Sequence, residues 1–267
     1  MRSVFKTIFV ASAVAVLSAG VPGALWAGNL VQNGQFTSNT GYGWVGQNFG
    51  QGTTSISVSN WNNATNSSFG GPGLNWLFNG NTPTQSVNFN GSAMGLQGSV
   101  TRPTGGGNFM ALDGDPQYHS TFSQSISGLT IGDTYTLTFE FAGAQQTGFS
   151  GSGNLTNYLD VTFGSTSNNT ETLTRANSSN GSNGVFTGWN SVSMDFVATQ
   201  TVETLSFLSN GTPMSLPPIA LLGNISLTDT TPAPSPVPEP SSLIMAAIGC
   251  AGCAAVRYRR RLNARKP

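Results

Sequence analysis

The stretch Thr134-Tyr135-Thr136-Leu137-Thr138-Phe139-Glu140-Phe141-Ala142 decides the fold. Tyr135, Leu137, Phe139 and Phe141 take alternate positions, and Thr134, Thr136, Thr138 and Glu140 fill those between. Successive side chains of a strand point to opposite faces, so this reads as a β-strand with one apolar and one polar face. Aromatic and β-branched residues suit a pleated, half-buried surface. Glu140 falls on the polar face and is expected in solvent.

The same period recurs on both sides of this strand. Leu159, Val161 and Phe163 alternate with Asp160 and Thr162, and Val192, Met194 and Phe196 alternate with Ser191, Ser193 and Asp195. Phe122, Gln124 and Ile126, residues 109–112 and residues 202–208 read as further strands. Ile219, Leu221, Ile225 and Leu227, with Gly223 in the series, read as one face of a last strand. Gly, Asn, Ser and Thr fill the connections, and helix formers are sparse. Many short strands joined by such turns predict an all-β sandwich. About 200 residues lie between the two ends of the chain, enough for one such domain with a full core. Segments 143–153 and 175–184 read as small, polar, mobile loops.

Each end has a different character. Arg2 and Lys6 precede an apolar run over residues 8–19, and Ala27 precedes Gly28. This is the pattern of a signal peptide over 1–27 with cleavage after Ala27. A β-sandwich domain is expected over 28–230. Residues 231–240 carry Pro234, Pro236, Pro238 and Pro240, which fix φ and predict an extended linker. Residues 241–256 carry no charge and read as a short transmembrane helix of roughly 24 Å, below the ~30 Å hydrocarbon core. A basic cytoplasmic tail over 257–267 follows, beginning Arg257-Tyr258-Arg259-Arg260-Arg261.

The formal charge of zero hides a segregation. Between residues 28 and 240 the only cations are Arg102 and Arg175, against ten acids, so that part carries a formal charge of −8. This argues against nucleic acid or an anionic membrane surface as a partner of the sandwich. The only cysteines, Cys250 and Cys253, lie in the apolar segment and read as small apolar fillers, so no disulfide staples the sandwich.

Pro238-Glu239-Pro240, the apolar run and the arginine cluster together resemble the PEP-CTERM sorting signal of exopolysaccharide-producing Gram-negative bacteria. The resemblance covers about thirty residues with all three parts in order. It implies recognition of Pro238, Glu239 and Pro240 by an exosortase, a membrane transpeptidase-like enzyme. Arg257, Arg259, Arg260 and Arg261 form the basic stop of such a signal. Cleavage near the motif would follow an inner-membrane intermediate and leave the protein at the cell surface or in the matrix.

The central domain resembles galactose-binding-like jelly rolls, including carbohydrate-binding modules. Asn29-Leu30-Val31-Gln32-Asn33-Gly34-Gln35-Phe36 looks like their first strand. Phe109-Met110-Ala111-Leu112-Asp113-Gly114-Asp115 is similar to their strand and Asp-Gly segment. Residues 122–129 with 132–139 match their central hairpin, and Gly223-Asn224-Ile225-Ser226-Leu227 looks like the closing strand. The resemblance implies a jelly-roll β-sandwich. It also implies a structural calcium between first and last strands, but Thr37 and Gly223 stand where acids would be needed. Asp113 and Asp115 remain as calcium candidates, with Asx turns as the alternative role. No other cofactor is expected.

Tyr42, Trp44 and Trp61 lie in polar loops and are candidate sugar-stacking platforms, or else loop residues folded back over the core. Enzyme chemistry has little to use. The single histidine is His119, no Gly-x-Ser-x-Gly elbow occurs, and paired carboxylates for glycoside hydrolysis could come only from a few acids, including Glu140, Asp160, Glu171, Asp195 and Glu203, of which Glu140 and Asp160 lie on strand faces opposite the apolar positions and read as solvent-facing. No catalytic residue is assigned. The expected function is a non-enzymatic surface or matrix protein with exosortase and exopolysaccharide as partners, touching membrane only through its tail before processing. The alternatives are a glycan-binding module proper and a polysaccharide-acting hydrolase.

Overall fold

A computed structural model describes residues 28–46, 56–66, 68, 70–89, 92–149, 153–176, 185–214, 216–232 and 240–264. The signal peptide with Ala27, most of loop 175–184, and Pro238 and Glu239 lie outside the described residues. The chain divides into two compact units, residues 1–231 and 232–267.

The first unit is built from strands alone. In chain order they are β1 (Gly43–Trp44), β2 (Asn62–Asn63), β3 (Thr65–Asn66), β4 (Gly71–Pro72), β5 (Asn75–Phe78), β6 (Val87–Phe89), β7 (Ser92–Met94) and β8 (Phe109–Asp113). There follow β9 (Phe122–Ser127), β10 (Thr134–Gln145), β11 (Asn154–Phe163), β12 (Thr166–Asn169), β13 (Leu173–Ala176), β14 (Asn190–Val197), β15 (Val202–Thr212) and β16 (Pro218–Asp229). One sheet runs β14-β10-β16-β8-β5-β1-β6-β7, and the second runs β12-β11-β15-β9-β2 with β13 also on β11; β3 and β4 pair apart.

The sheets meet through the alternating apolar faces foreseen in the sequence. Tyr135, Leu137, Phe139 and Phe141 of β10 face Leu159, Val161, Phe163, Leu205 and Phe207 of the second sheet in one core. Phe139 meets Phe207 edge-on at 5.3 Å, and Phe163 meets Phe196 at 5.6 Å. Each such buried side chain contributes about 1.5–3 kcal/mol.

The eight-stranded sheet has a second core on its other face. Trp76, Phe78, Phe109, Ala111, Ala142, Ala144, Ile219 and Leu221 are buried there under Leu96, Val100, Phe186 and Trp189. Strands β5 and β8 are therefore buried on both faces and show no alternation.

A β-bulge lets β16 serve both cores. Thr138 pairs with Ser226 but Glu140 pairs with Gly223, so β16 carries one extra residue there. Ile219 and Leu221 face the second core, while Ile225 and Leu227 face the inter-sheet core. The single face read from their odd spacing is corrected by this bulge, which reverses sidedness beyond Gly223.

Two other expectations are corrected. Residues 29–36 are not a strand. They form a turn segment tied to β16 by Leu30 N–H to Leu227 O at 2.9 Å and Ile225 N–H to Gly34 O at 3.0 Å. Gly143, Ala144 and Gln145 belong to β10 rather than to a mobile loop, and Gln145 is fully buried.

The second unit contains helix α1 (Pro240–Asn263), which continues through the arginines. Among the described residues no helix is long and apolar enough to cross a membrane. This corrects the transmembrane segment expected over 241–256. The uncharged run is short, and the helix carries Gly249, Gly252 and several alanines in place of larger apolar residues.

Candidate functional site

The outer face of the eight-stranded sheet is apolar where the second core covers it and polar where β14, β10 and the end of β16 lie open. There Thr138 and Glu140 of β10, Ser191 and Ser193 of β14 and Asn224 and Ser226 of β16 line a groove of about 550 Å³. Thr104 and Gly105 flank it on one side, and Asn29, Gly34 and Gln35 on another. No lysine or arginine lines it. Phe139, Val192 and Ile225 also line it; its polar side chains are hydroxyls, amides and one carboxylate, the groups that pair with sugar hydroxyls.

Glu140 organises this groove. It is only 6% exposed, which corrects its expected place in solvent. Its Oε1 accepts the Thr104 N–H at 2.9 Å and the Thr104 hydroxyl, and its Oε2 accepts the Gly105 N–H at 3.2 Å and the Asn224 amide. Burial works to raise its pKa, but the bonds from Thr104, Asn224 and Gly105 outweigh it and hold the carboxyl below its ordinary value. A carboxylate so engaged is an anchor for the 104–105 turn and is a poor general acid. Two glycines make the anchor possible. A Cβ on Gly105 would lie 2.2 Å from Asn224 Nδ2, and one on Gly223 would lie 2.7 Å from Pro103 Cγ. Asn224 itself sits at φ 50°, the left-handed conformation that the bulge requires and asparagine tolerates.

The three aromatic candidates separate. Trp61 is 8% exposed, stacks on Phe122 at 4.9 Å with an interplanar angle of 3°, meets Phe36 edge-on, and donates Nε1–H to Asn33 O at 3.2 Å. It has no free ring face for a sugar, which corrects its reading as a platform. Trp44 is half-buried against the second core and donates Nε1–H to Gly73 O at 3.0 Å. Tyr42 is exposed at 39%. None of the three lines the groove.

Asp113 and Asp115 are 1% and 3% exposed. Asp113 Oδ1 accepts the Asp115 N–H at 2.8 Å, and Asp115 Oδ1 accepts the Gln117 N–H at 2.9 Å. These are Asx turns. Burial pushes the Asp113 carboxyl up to about 7, so this acid is half protonated at neutral pH. Among the described residues no group of three or more His, Cys, Asp and Glu is placed to hold a metal.

The remaining polar candidates hold the fold together. His119 Nδ1 lies 2.8 Å from the Ser209 carbonyl. Glu203 Oε1 accepts the Thr199 N–H and hydroxyl and the Gln200 N–H, closing the turn before β15. Asp195 accepts the Thr136 hydroxyl at 2.6 Å. The sequence missed the groove because its members come from five separate segments. The polar half of the alternation in 134–142 was the available signal.

Among solved structures, the chain is similar to a carbohydrate-binding module, CBM4, at 13% identity, covering 75% of this chain and 99% of that one with a TM-score of 0.32. It is similar to TmCBM61 in complex with beta-1,4-galactotriose at 10% identity, covering 74% and 97% with a TM-score of 0.34. It is similar to the C-terminal domain of EclA, a sugar-binding protein, at 17% identity, covering 39% of this chain and 64% of that domain with a TM-score of 0.28. A search of the curated proteins finds no match. At its C-terminus, residues 236–261 match the PEP-CTERM protein-sorting motif, which marks an exported protein sorted to the cell surface.

Proposed function

We propose that this chain is a non-enzymatic surface or extracellular-matrix protein, processed by an exosortase, whose sandwich associates with exopolysaccharide. The observation that carries the reading is the sorting motif at residues 236–261. The order of events is export by the signal peptide with cleavage after Ala27, recognition of Pro238-Glu239-Pro240, and separation of the acidic sandwich from the arginine-rich helix. Removal of that helix leaves Arg102 and Arg175 as the only cations of the mature part. Deleting residues 238–240 should leave full-length precursor in the cell-associated fraction, and an unchanged mature surface fraction would defeat the proposal.

The association with polysaccharide rests on the groove. A face of hydroxyls and amides around an anchored carboxylate offers many weak hydrogen bonds and no strong charge pairing. Such a site suits loose, repeated contact with a polymer. The reading as a glycan-binding module proper draws on the same groove. A glycan array distinguishes them: one tight ligand favours the module, and weak retention on several polymers favours the matrix role. Plugging the groove with Ser193→Trp should abolish either kind of retention. Equal retention by the folded variant would remove the groove from the account.

A further inference from the structure

Among the described residues Arg175 is a buried cation without a counter-charge. It is 5% exposed on β13, opposite Leu155 of β11. Its Nη2 donates to the Ala144 carbonyl, while Nε and Nη1 have no hydrogen-bond partner. Nη1 lies over Gly143, where a Cβ would meet it at 2.4 Å. Residues 177–184, which follow this strand, contain no acid. Burial lowers the Arg175 pKa to about 9, so the guanidinium stays charged at neutral pH.

Three more unpaired polar side chains face the same inter-sheet layer. Gln145 lies two residues beyond Gly143 on β10, on the same face, fully buried, with both amide atoms unpartnered. Asn157 on β11 is fully buried between Leu173 and Gly211, and both its amide atoms are unpartnered. Ser209 on β15, opposite Leu159, is 1% exposed with its Oγ unpartnered. Pro218 joins these positions: it pairs with Gln145, and a Cβ on Gly211 would lie 2.7 Å from its Cγ. A Cβ on Gly114 would lie 3.1 Å from Asn157 Nδ2.

We propose that this layer, at one end of the inter-sheet core, is a binding site for a small monovalent anion such as chloride. Arg175 supplies the counter-charge, and the amides of Gln145 and Asn157 and the hydroxyl of Ser209 supply further donors. Buried charges in proteins are paired, and a guanidinium left alone between two sheets costs several kcal/mol. Buried water satisfies amides and hydroxyls but does not neutralise an arginine. The burial of all four side chains excludes a ligand as large as a sugar acid. This site is separate from the groove and does not depend on it.

The test uses the full chain in sodium gluconate, titrated with sodium chloride at constant ionic strength. Tm is expected to rise with the logarithm of chloride concentration above Kd, by about 5–10 °C at hundredfold excess. Arg175→Met should remove this rise. Should that variant fail to fold, the ³⁵Cl line width of chloride with the wild-type chain decides. Excess broadening that bromide reverses supports the site. A Tm response shared by wild type and variant, or no excess broadening, overturns it and leaves the layer to water.

Discussion

Asp113→Asn should make the protein markedly more stable at pH 8 while changing little below about pH 4. Asp113 closes β8 at 1% exposure, with Oδ1 on the Asp115 N–H and Oδ2 unpartnered. Burial raises its pKa from 3.8 to about 7, and the Asp115 charge adds to this, against the backbone bonds from Asp115 and Gly114. The folded state therefore holds this proton more tightly than the unfolded chain does. Stability from this group is complete below about pH 4, is lost as pH rises, and is fully lost above about pH 7. A shift of roughly three pH units corresponds to about 4 kcal/mol. Asparagine keeps the Oδ1 acceptor, places an N–H₂ where the acid carries its proton, and cannot ionise. Urea unfolding of both chains at half-unit steps between pH 5 and 8 measures the difference directly. The difference should grow from about 2 kcal/mol at pH 5 toward about 4 kcal/mol at pH 8, and parallel curves across that range would refute the buried-acid argument.

Other substitutions test the remaining parts. Glu140→Gln replaces an acceptor of four donors with a group that must turn an N–H₂ toward some of them, and should cost about 2 kcal/mol in urea unfolding. Glu140 stabilises above its depressed pKa and loses that contribution as pH falls through it, so the gap between the two chains should narrow in acid. Trp61→Ala opens the core between Phe36 and Phe122 and should cost about 3–5 kcal/mol, whereas Tyr42→Ala should cost under about 0.5 kcal/mol. Deleting Asn224 removes the extra residue and leaves Ile225 opposite Phe139 and Leu227 opposite Leu137, still facing the inter-sheet core, so the chain should keep its cooperative unfolding transition and lose only about 1 kcal/mol with the bond to Glu140.

What the sequence shows and what it conceals follow from the same rule. Strands with one wet face declare themselves by alternation, and β10, β11, β14 and β15 lie where 134–142, 159–163, 189–197 and 202–208 place them. Strand β5 was invisible because Asn75, Trp76, Leu77 and Phe78 are all buried, so there is no polar half to set the period. The bulge at Gly223 was misread because Gly223 continues the odd series without a break. Trp61 was misread because a tryptophan among asparagines looks like a surface residue, and only the rings of Phe36 and Phe122 show otherwise. Glu140 was placed on the correct strand face. Its burial comes from Thr104 and Gly105, more than thirty residues away, which no local pattern encodes.

The sheet shared by two cores has a kinetic meaning. Amides of β8, of residues 141–145 of β10 and of residues 218–222 of β16 are flanked by packed side chains above and below, so no local opening exposes them without breaking both cores. Their hydrogens should exchange with solvent only through global unfolding, at one common rate. Strand β12, four exposed residues at the rim of the other sheet, should exchange by fraying long before. For a protein working outside the cell among proteases, this arrangement confines the first points of attack to the rim and keeps the centre closed until the whole domain opens.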